Sequence, residues 1–415
     1  MEYTMYPTDI TREIYPTHEA TDHDLPGIAD QVLQSLSLGL IMAGTLIFNT
    51  LTIFIILRVR SLRCIPHNLL ILNLAIADLG VVLCSMVFSF VSIFDNGYFL
   101  SSHRKVCMVQ GFLVITVSFT NLPTILSIAV DRLLILVLSR HFQPNRSRVL
   151  VMVAISWLVG ATVATVATVS ATIGHATYIS YHPGTLHCSM MWRENESFRI
   201  NTIILNYGFF VLSLLGCYVS ITYHLWKEER RLKSHSLSRS KATDRVTMST
   251  AVTEGATPKP DEGAQQDSGE GNESWIFSHS ALATKDRVEF SETHSNHHLQ
   301  DEQDGAHTTN VTTAKKNRLK IERRKHMAHK RVAKMAILLV LAVVTCWTPY
   351  MLYHSKLIGS HETARLGVFT MWMAYCNALI DPLIYAFVNR SVRAEMRRVV
   401  RNMRRIISSI GSKVP

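Results

Sequence analysis

Asp78, in N-L-A-I-A-D, and Asp381, in N-A-L-I-D-P-L-I-Y-A-F-V-N-R, are carboxylates set inside long apolar runs. Three chemistries use such a pair: hydrolysis of the intramembrane aspartyl-protease kind, ion-coupled transport, or a buried polar cluster able to hold a cation. A charge in hydrocarbon costs a few kcal/mol or more, and Pro382, directly after Asp381, also removes a backbone hydrogen bond. Aspartyl proteolysis calls for a G-x-G-D context, and this chain has I-A-D-L-G and L-I-D-P-L. A metal-dependent hydrolase would need several histidines near the inner leaflet, and His354 is the one histidine well inside the outer half of a run. A pump or transporter would use a lysine Schiff base or repeated broken helices, and neither is visible. Enzyme and transporter readings of the Asp78/Asp381 pair therefore stand as the alternative, behind a buried cluster extended by Asn49, Asn121 and Asn377.

The elements that must carry these residues are seven apolar runs, near 35–58, 67–94, 105–138, 149–174, 200–226, 331–357 and 364–388. Each is about 20 residues or longer, enough to span ~30 Å of hydrocarbon as a helix. The whole chain of 415 residues is 48% hydrophobic and 18% charged, with a mean hydropathy of +0.16, and the excess is concentrated in these runs. Residues 1–30 have no apolar core of the signal-peptide type, so the first span itself is expected to start insertion.

The net charge of +11 invites a nucleic-acid reading, but its placement argues against one. Arg58, Arg60, Arg63, Arg140, Arg146, Arg148, Lys227, Arg230 and Arg231 occupy short connections, and Arg390 to Arg405 follow the last span, whereas 1–34 is rich in Asp and Glu. Positive residues stay in the cytoplasm, which puts the N-terminus outside. Of seven cysteines, Cys107 and Cys188 are the two on the oxidising outer side, where a disulfide is stable; Cys64, Cys84, Cys217, Cys346 and Cys376 are expected to be free. The N-E-S sequon at Asn195 faces outward and can carry glycan. Residues 228–330 form a long cytoplasmic insert too polar to bury a core and expected to be mostly disordered, with basic, helix-like extensions at both ends. After the seventh span, 389–407 alternates Val392, Met396, Val399, Val400 and Met403 with arginines, the pattern of an amphipathic helix on the membrane surface, leaving 408–415 as a tail. The fold expected is an all-α membrane protein, a seven-helix bundle with a short amphipathic cytoplasmic helix.

Taken together, these pieces resemble the rhodopsin-like (class A) G-protein-coupled receptors. The resemblance is carried by Asn49, N-L-L-I-L-N-L-A-I-A-D ending at Asp78, Cys107 with Cys188, Asp131-Arg132, Trp157, Tyr218, C-W-T-P (346–349) and D-P-L-I-Y (381–385). It implies an activation switch formed by Asp131, Arg132, Tyr218, Trp347, Pro349, Asp381, Pro382 and Tyr385, in which the sixth helix swings outward at its inner end. It also implies a heterotrimeric G protein, receptor kinases and arrestin as partners, an extracellular ligand, and the plasma membrane as location. Membrane lipid is a further partner, and nucleic acid is not. No cofactor is implied beyond an allosteric sodium ion held by Asp78, Asn121, Asn377 and Asp381, since two close carboxylates cannot both ionise cheaply without a proton or a cation.

The chain departs from the family pattern in places. Leu133 follows the Asp-Arg pair where the family usually has Tyr, Phe210 stands near a usual proline, Val343 replaces a frequent Phe, and His329 stands where an acid often locks Arg132. Arg132 is then expected to be held mainly by Asp131. The outer pocket is expected to be lined by Val114, Ser118, Asn206, Tyr207, Trp347, Tyr350, His354, Met371 and Tyr375, with Arg193 able to meet a carboxylate. Val114 takes the place of the aspartate of amine receptors, and Tyr375 that of the retinal lysine. The C-S-x-x-x-R loop and N-R-S-V-R ending resemble the melatonin-receptor-like and medium-chain fatty-acid-receptor-like branch.

Overall fold

The computed structural model describes residues 27–138, 142–172, 179–190, 196–253, 300–355 and 363–411. Seven helices are long and apolar enough to cross a bilayer, as the hydropathy runs require. They are α1 (Ile28–Arg58), α2 (Asn68–Asp95), α3 (Arg104–Leu136), α4 (Arg146–Thr172), α5 (196–253), α6 (Gln300–His354) and α7 (Ala364–Val388). An eighth helix, α8 (Arg390–Gly411), follows directly. Helix α3 runs through the middle of the bundle, against α2, α4, α5 and α6. Among the described residues the one sheet is a hairpin: strands β1 (Ile179–His182) and β2 (His187–Met190) pair antiparallel between α4 and α5, with Tyr181 opposite Cys188.

Two boundaries differ from the sequence reading. Helix α1 begins at Ile28 rather than at 35. The helix-like extensions expected at both ends of the 228–330 insert are present and reach further than the basic motifs, α5 continuing to Thr253 and α6 starting at Gln300. At the base of the extensions Glu229 contacts Lys233 at 3.2 Å, the i,i+4 spacing at which opposite charges stabilise a helix, and Lys330 of α6 at 2.5 Å.

The polar residues of the spans explain how the helices hold together without a hydrophobic driving force between them. Pro382 has no N–H to give the Ala378 carbonyl; Asn49 Nδ2 of α1 donates to that oxygen instead, at 2.9 Å. Trp157 Nε1 of α4 donates to Asn73 Oδ1 of α2 (2.8 Å), and Asn73 Nδ2 donates to Thr124 Oγ1 of α3 (2.9 Å). Where α3 and α4 come closest, a Cβ on Gly160 would run into the Thr116 carbonyl and the Thr120 hydroxyl. Gly160→Val should therefore cost about 1–3 kcal/mol through overpacking and lower the melting temperature of the solubilised protein. Gly216→Ala, at a position with nothing within 4 Å, should leave it unchanged or slightly raised.

Candidate functional site

Three polar groups lie along the bundle axis. The outer one is built around the hairpin. Cys107, at the start of α3, is disulfide-bonded to Cys188 with a Cα–Cα distance of 5.5 Å, the pairing expected from topology. Gln110, one turn further along α3, accepts from the Cys188 N–H at 3.0 Å and donates to the Cys84 carbonyl of α2 at 2.7 Å. Gly111 lies so close to Ile179 of β1 that no Cβ fits between them. Thr185, His187 and Cys188 are consequently buried.

His187 Nδ1 is bonded to the Thr185 carbonyl at 2.8 Å and lies 3.3 Å from both the Ser89 and Tyr375 hydroxyls. Tyr375 also meets the Ser85 hydroxyl at 2.7 Å and that of Ser89 at 3.0 Å. Ser85 falls in a π-helical stretch of α2, Val82–Met86, a local widening frequent at functional sites. A second one, Thr202–Gly208, lies in α5, just before Phe210, where the family proline is missing. It carries Tyr207, whose hydroxyl lies 2.6 Å from that of Thr348 on α6.

Beneath the hairpin is a cavity of about 40 Å³. Val114, Ser118, Trp347, Tyr350 and Met371 of the expected pocket line it, together with His187 and Met190 from the hairpin. Tyr375 does not line it, because a buried phenol needs a partner and finds Ser85 and Ser89. His354 stacks above, with its ring 4.3 Å from that of Tyr350 and 5.5 Å from that of His182. Arg193, Asn195 and the side chain of Asn206 lie outside the described residues.

The middle group holds the two carboxylates. Asn121 Nδ2 donates to Asp78 Oδ1 at 2.8 Å, and Asn377 Nδ2 donates to Asp381 Oδ2 at 3.0 Å. Asn49, Thr52, Asp78, Asp381, Pro382 and Tyr385 line a cavity of about 10 Å³ between them, roughly the room of a single water. Asn121 and Asn377 hold the carboxylates from behind rather than lining it. Six buried oxygens of this cluster have no hydrogen-bond partner: Asn49 Oδ1, Thr52 Oγ1, Asp78 Oδ2, Asn121 Oδ1, Asn377 Oδ1 and Asp381 Oδ1.

The inner group centres on Asp131. Its Oδ2 pairs with Arg132 of the same helix, and its Oδ1 with Arg148 of α4 at 3.0 Å. Asp131 is 1% exposed and Arg132 10%, so the pair is substantially dry. His67, just before α2, is held well below its ordinary value by burial and, second, by the Arg132 guanidinium. Tyr218 and Tyr385 are buried in the apolar cluster around this end, and the Tyr385 hydroxyl donates to Asn68 Oδ1 at 3.0 Å.

Ser85, Ser89, Gln110, His187 and Arg148 were not singled out from the sequence. The spacing of Ser85 and Ser89, four residues apart in an apolar run, was a usable signal for one helix face; nothing local marks Arg148 as the second partner of Asp131.

With this geometry in view, comparison with known proteins is direct. A family model described as the 7 transmembrane receptor (rhodopsin family) matches residues 48–385, and the chain belongs to that family. It is a multi-pass membrane protein of a receptor family, not an enzyme. The chain is 20% identical to the Tachykinin-like peptides receptor 86C of Drosophila melanogaster, over 94% of this chain and 62% of that one. It is 21% identical to the Octopamine receptor beta-1R of the same organism, over 88% of this chain and 61% of that one. It thus spans about three fifths of the length of these relatives. The fold is similar to that in a crystal structure of squid rhodopsin, with a TM-score of 0.63, 16% identity, and coverage of 90% of this chain and 86% of that one.

Burial pushes the His187 imidazole down from 6.5 to about 4, against the bond to Thr185 that raises it. The unfolded chain takes up this proton below pH 6.5 while the folded one resists it to about 4, so His187 makes stability rise with pH across that window. Melting temperature should fall as pH is lowered from 6.5 to 4, and His187→Gln should flatten that part of the profile.

Proposed function

We propose that the chain is a plasma-membrane G-protein-coupled receptor with its N-terminus outside, activating a heterotrimeric G protein by outward movement of α6 and then meeting receptor kinases and arrestin. The observation that carries this reading is the inner ion triad: a buried arginine, Arg132, held by a carboxylate of its own helix that a second arginine also holds. Removing one partner of a buried pair costs about 3–5 kcal/mol because it strands the other charge. Arg148 avoids that cost. When Arg132 turns toward a G protein, Asp131 keeps Arg148 as its partner, so the switch needs no acid on α6 at His329. Pro349 weakens α6 beside Trp347, and Pro382 weakens α7 beside Asp381, which gives both helices a place to bend.

The ligand is non-aminergic: a lipid, a fatty acid, an indole-like compound or a small peptide. Two of the relatives are named for peptides and for octopamine, but the cavity lining under the hairpin is apolar, aromatic and hydroxylic, with no carboxylate to pair an ammonium. A sodium ion is the further component of the reading. The six unpartnered oxygens around Asp78 and Asp381 suit a hard cation, which takes oxygen ligands, and a sodium ion would offset one of the two carboxylate charges that share this small cavity. Helix α8, with its arginine-rich face, lies on the inner membrane surface.

The test is GDP–GTP exchange on reconstituted G proteins, with a panel of ligands. Arg132→Ala should abolish stimulated exchange. Arg148→Gln should reduce exchange roughly tenfold, the ratio corresponding to about 1.4 kcal/mol, and this loss should vanish in the Asp131→Asn background, where no charge is left to strand. Unchanged signalling by Arg132→Ala would sink the assignment. Separately, sodium should lower agonist affinity in the wild type and do so less in Asp381→Asn; indifference of both proteins to sodium would remove the ion from the account.

A further inference from the structure

Helices α5 and α6 are joined by polar side chains at two levels, and the two contacts differ in what surrounds them. The first lies beside the proline of α6. Thr348 gives its one hydroxyl proton to the Val344 carbonyl of its own helix, so in the 2.6 Å contact between the hydroxyls of Tyr207 and Thr348 the donor is Tyr207. Thr348 is the neighbour of Trp347. Among the described residues, Tyr207 and Trp347 are the two partly buried side chains that pack against both apolar clusters of the bundle. Both helices span the membrane, where no water stands ready to replace the bond.

The second contact lies at the inner end. Glu229 of α5 meets Lys330 of α6 at 2.5 Å, with side chains 32% and 40% exposed, so water can take the place of either partner. Glu229 also holds Lys233 of its own helix at 3.2 Å. If Lys330 leaves, the carboxylate is not stranded.

Pro349 lies inside α6 and is where that helix can bend. Thr348 precedes it by one residue and Lys330 by nineteen, which places them about 1.5 Å and about 28 Å along the axis from the bend. A swing of about 20° at the proline then moves Thr348 by about 0.5 Å and Lys330 by about 10 Å. The first displacement leaves a hydrogen bond intact. The second exceeds the roughly 4 Å limit of an ion pair.

We propose that Glu229 and Lys330 are a latch that holds the inner end of α6 to α5 at rest, while Tyr207 and Thr348 are a pin that stays closed as α6 swings. With His329 standing where an acid often ties Arg132 to α6, the restraint on α6 comes from α5 instead. The swing belongs to the receptor reading above, on which this rests. Latch and pin carry opposite signatures: an interaction lost on opening shifts the equilibrium between the two states, and one kept in both does not.

The experiment uses the full chain in lipid nanodiscs without a G protein, with a trifluoromethyl probe on Met327→Cys, an exposed position of α6 close to Lys330. Cys64, which is exposed, is changed to Ser. Fluorine NMR intensities give the ratio of inward to outward α6. Lys330→Gln and Glu229→Gln should each raise the outward fraction about two- to fivefold, the range of a partly exposed ion pair, and together no further than either alone. Lys330→Arg should keep the wild-type ratio. So should Lys233→Gln, which takes a charge from the same carboxylate without untying the helices. Tyr207→Phe should lower the melting temperature and leave the ratio unchanged. An outward fraction that Lys330→Gln does not alter, whether one signal is seen or two, overturns the latch, as do additive effects of the two Gln variants. A shift by Tyr207→Phe as large as that by Lys330→Gln overturns the pin. A raised outward fraction without faster basal GDP–GTP exchange would instead count against the G-protein reading alone.

Discussion

Within a bilayer no water is available to satisfy a polar group, and that constraint organises this molecule. Its clearest expression is the hydrogen bond from Asn49 to the Ala378 carbonyl. The carbonyl lacks its helical donor because Pro382 follows four residues later, and α1 supplies one across the interface. The same bond sets α1 against α7 at the level of the two carboxylates, so the rotation of α7 that brings Asp381 to face Asp78 is fixed by a repair to its own backbone. Asn73 plays the equivalent part for α2, α3 and α4, taking the Trp157 indole on one side and giving to Thr124 on the other. A bundle whose helices gain little from burying apolar faces against each other instead acquires its register from such bonds.

The three polar groups along the axis differ in how completely they are satisfied. The outer one is closed: Tyr375, Ser85, Ser89, His187 and Thr185 supply donors and acceptors to each other. The middle one is not, with six oxygens left over around about 10 Å³. The inner one has surplus positive charge, with two arginines on one carboxylate. The axis thus runs from a mutually paired outer end, through a middle with six unpartnered oxygens, to an ion pair shared by two arginines at the inner end.

Much of the fold was legible in the residues. Length and hydropathy mark the seven spans, and the placement of Cys107 and Cys188 on one side singles out the disulfide. The hairpin was not legible, since Ile179–Met190 is short, mixed in polarity and stabilised by α3, α2 and α7 rather than by itself. The two π-helical segments were equally hidden. Val82–Met86 and Thr202–Gly208 contain no proline or glycine pair inside to announce a change of pitch. The helical ends of the long insert were partly visible in K-E-E-R-R-L-K, whereas the contact of Glu229 with Lys330 between α5 and α6 was not.

What the sequence determined by itself was which residues are costly in a membrane: Asn49, Asp78, Asp131, Arg132, Asn377, Asp381 and the prolines 349 and 382. Their expense follows from chemistry alone, because a charge, an amide or a missing N–H must be compensated wherever it lies in hydrocarbon. Which partner compensates each was decided by the tertiary structure. Asp78 faces Asn121, Asp381 faces Asn377, Asp131 is divided between Arg132 and Arg148, and Tyr375 turns from the cavity to two serines. Asp381 with Asn377 and Asp131 with Arg132 are neighbours on one helix, but the Asp78–Asn121, Asp131–Arg148 and Tyr375–Ser85 pairings join positions 43, 17 and 290 residues apart, and only the packing of the helices brings them within the 3 Å or so at which a hydrogen bond forms.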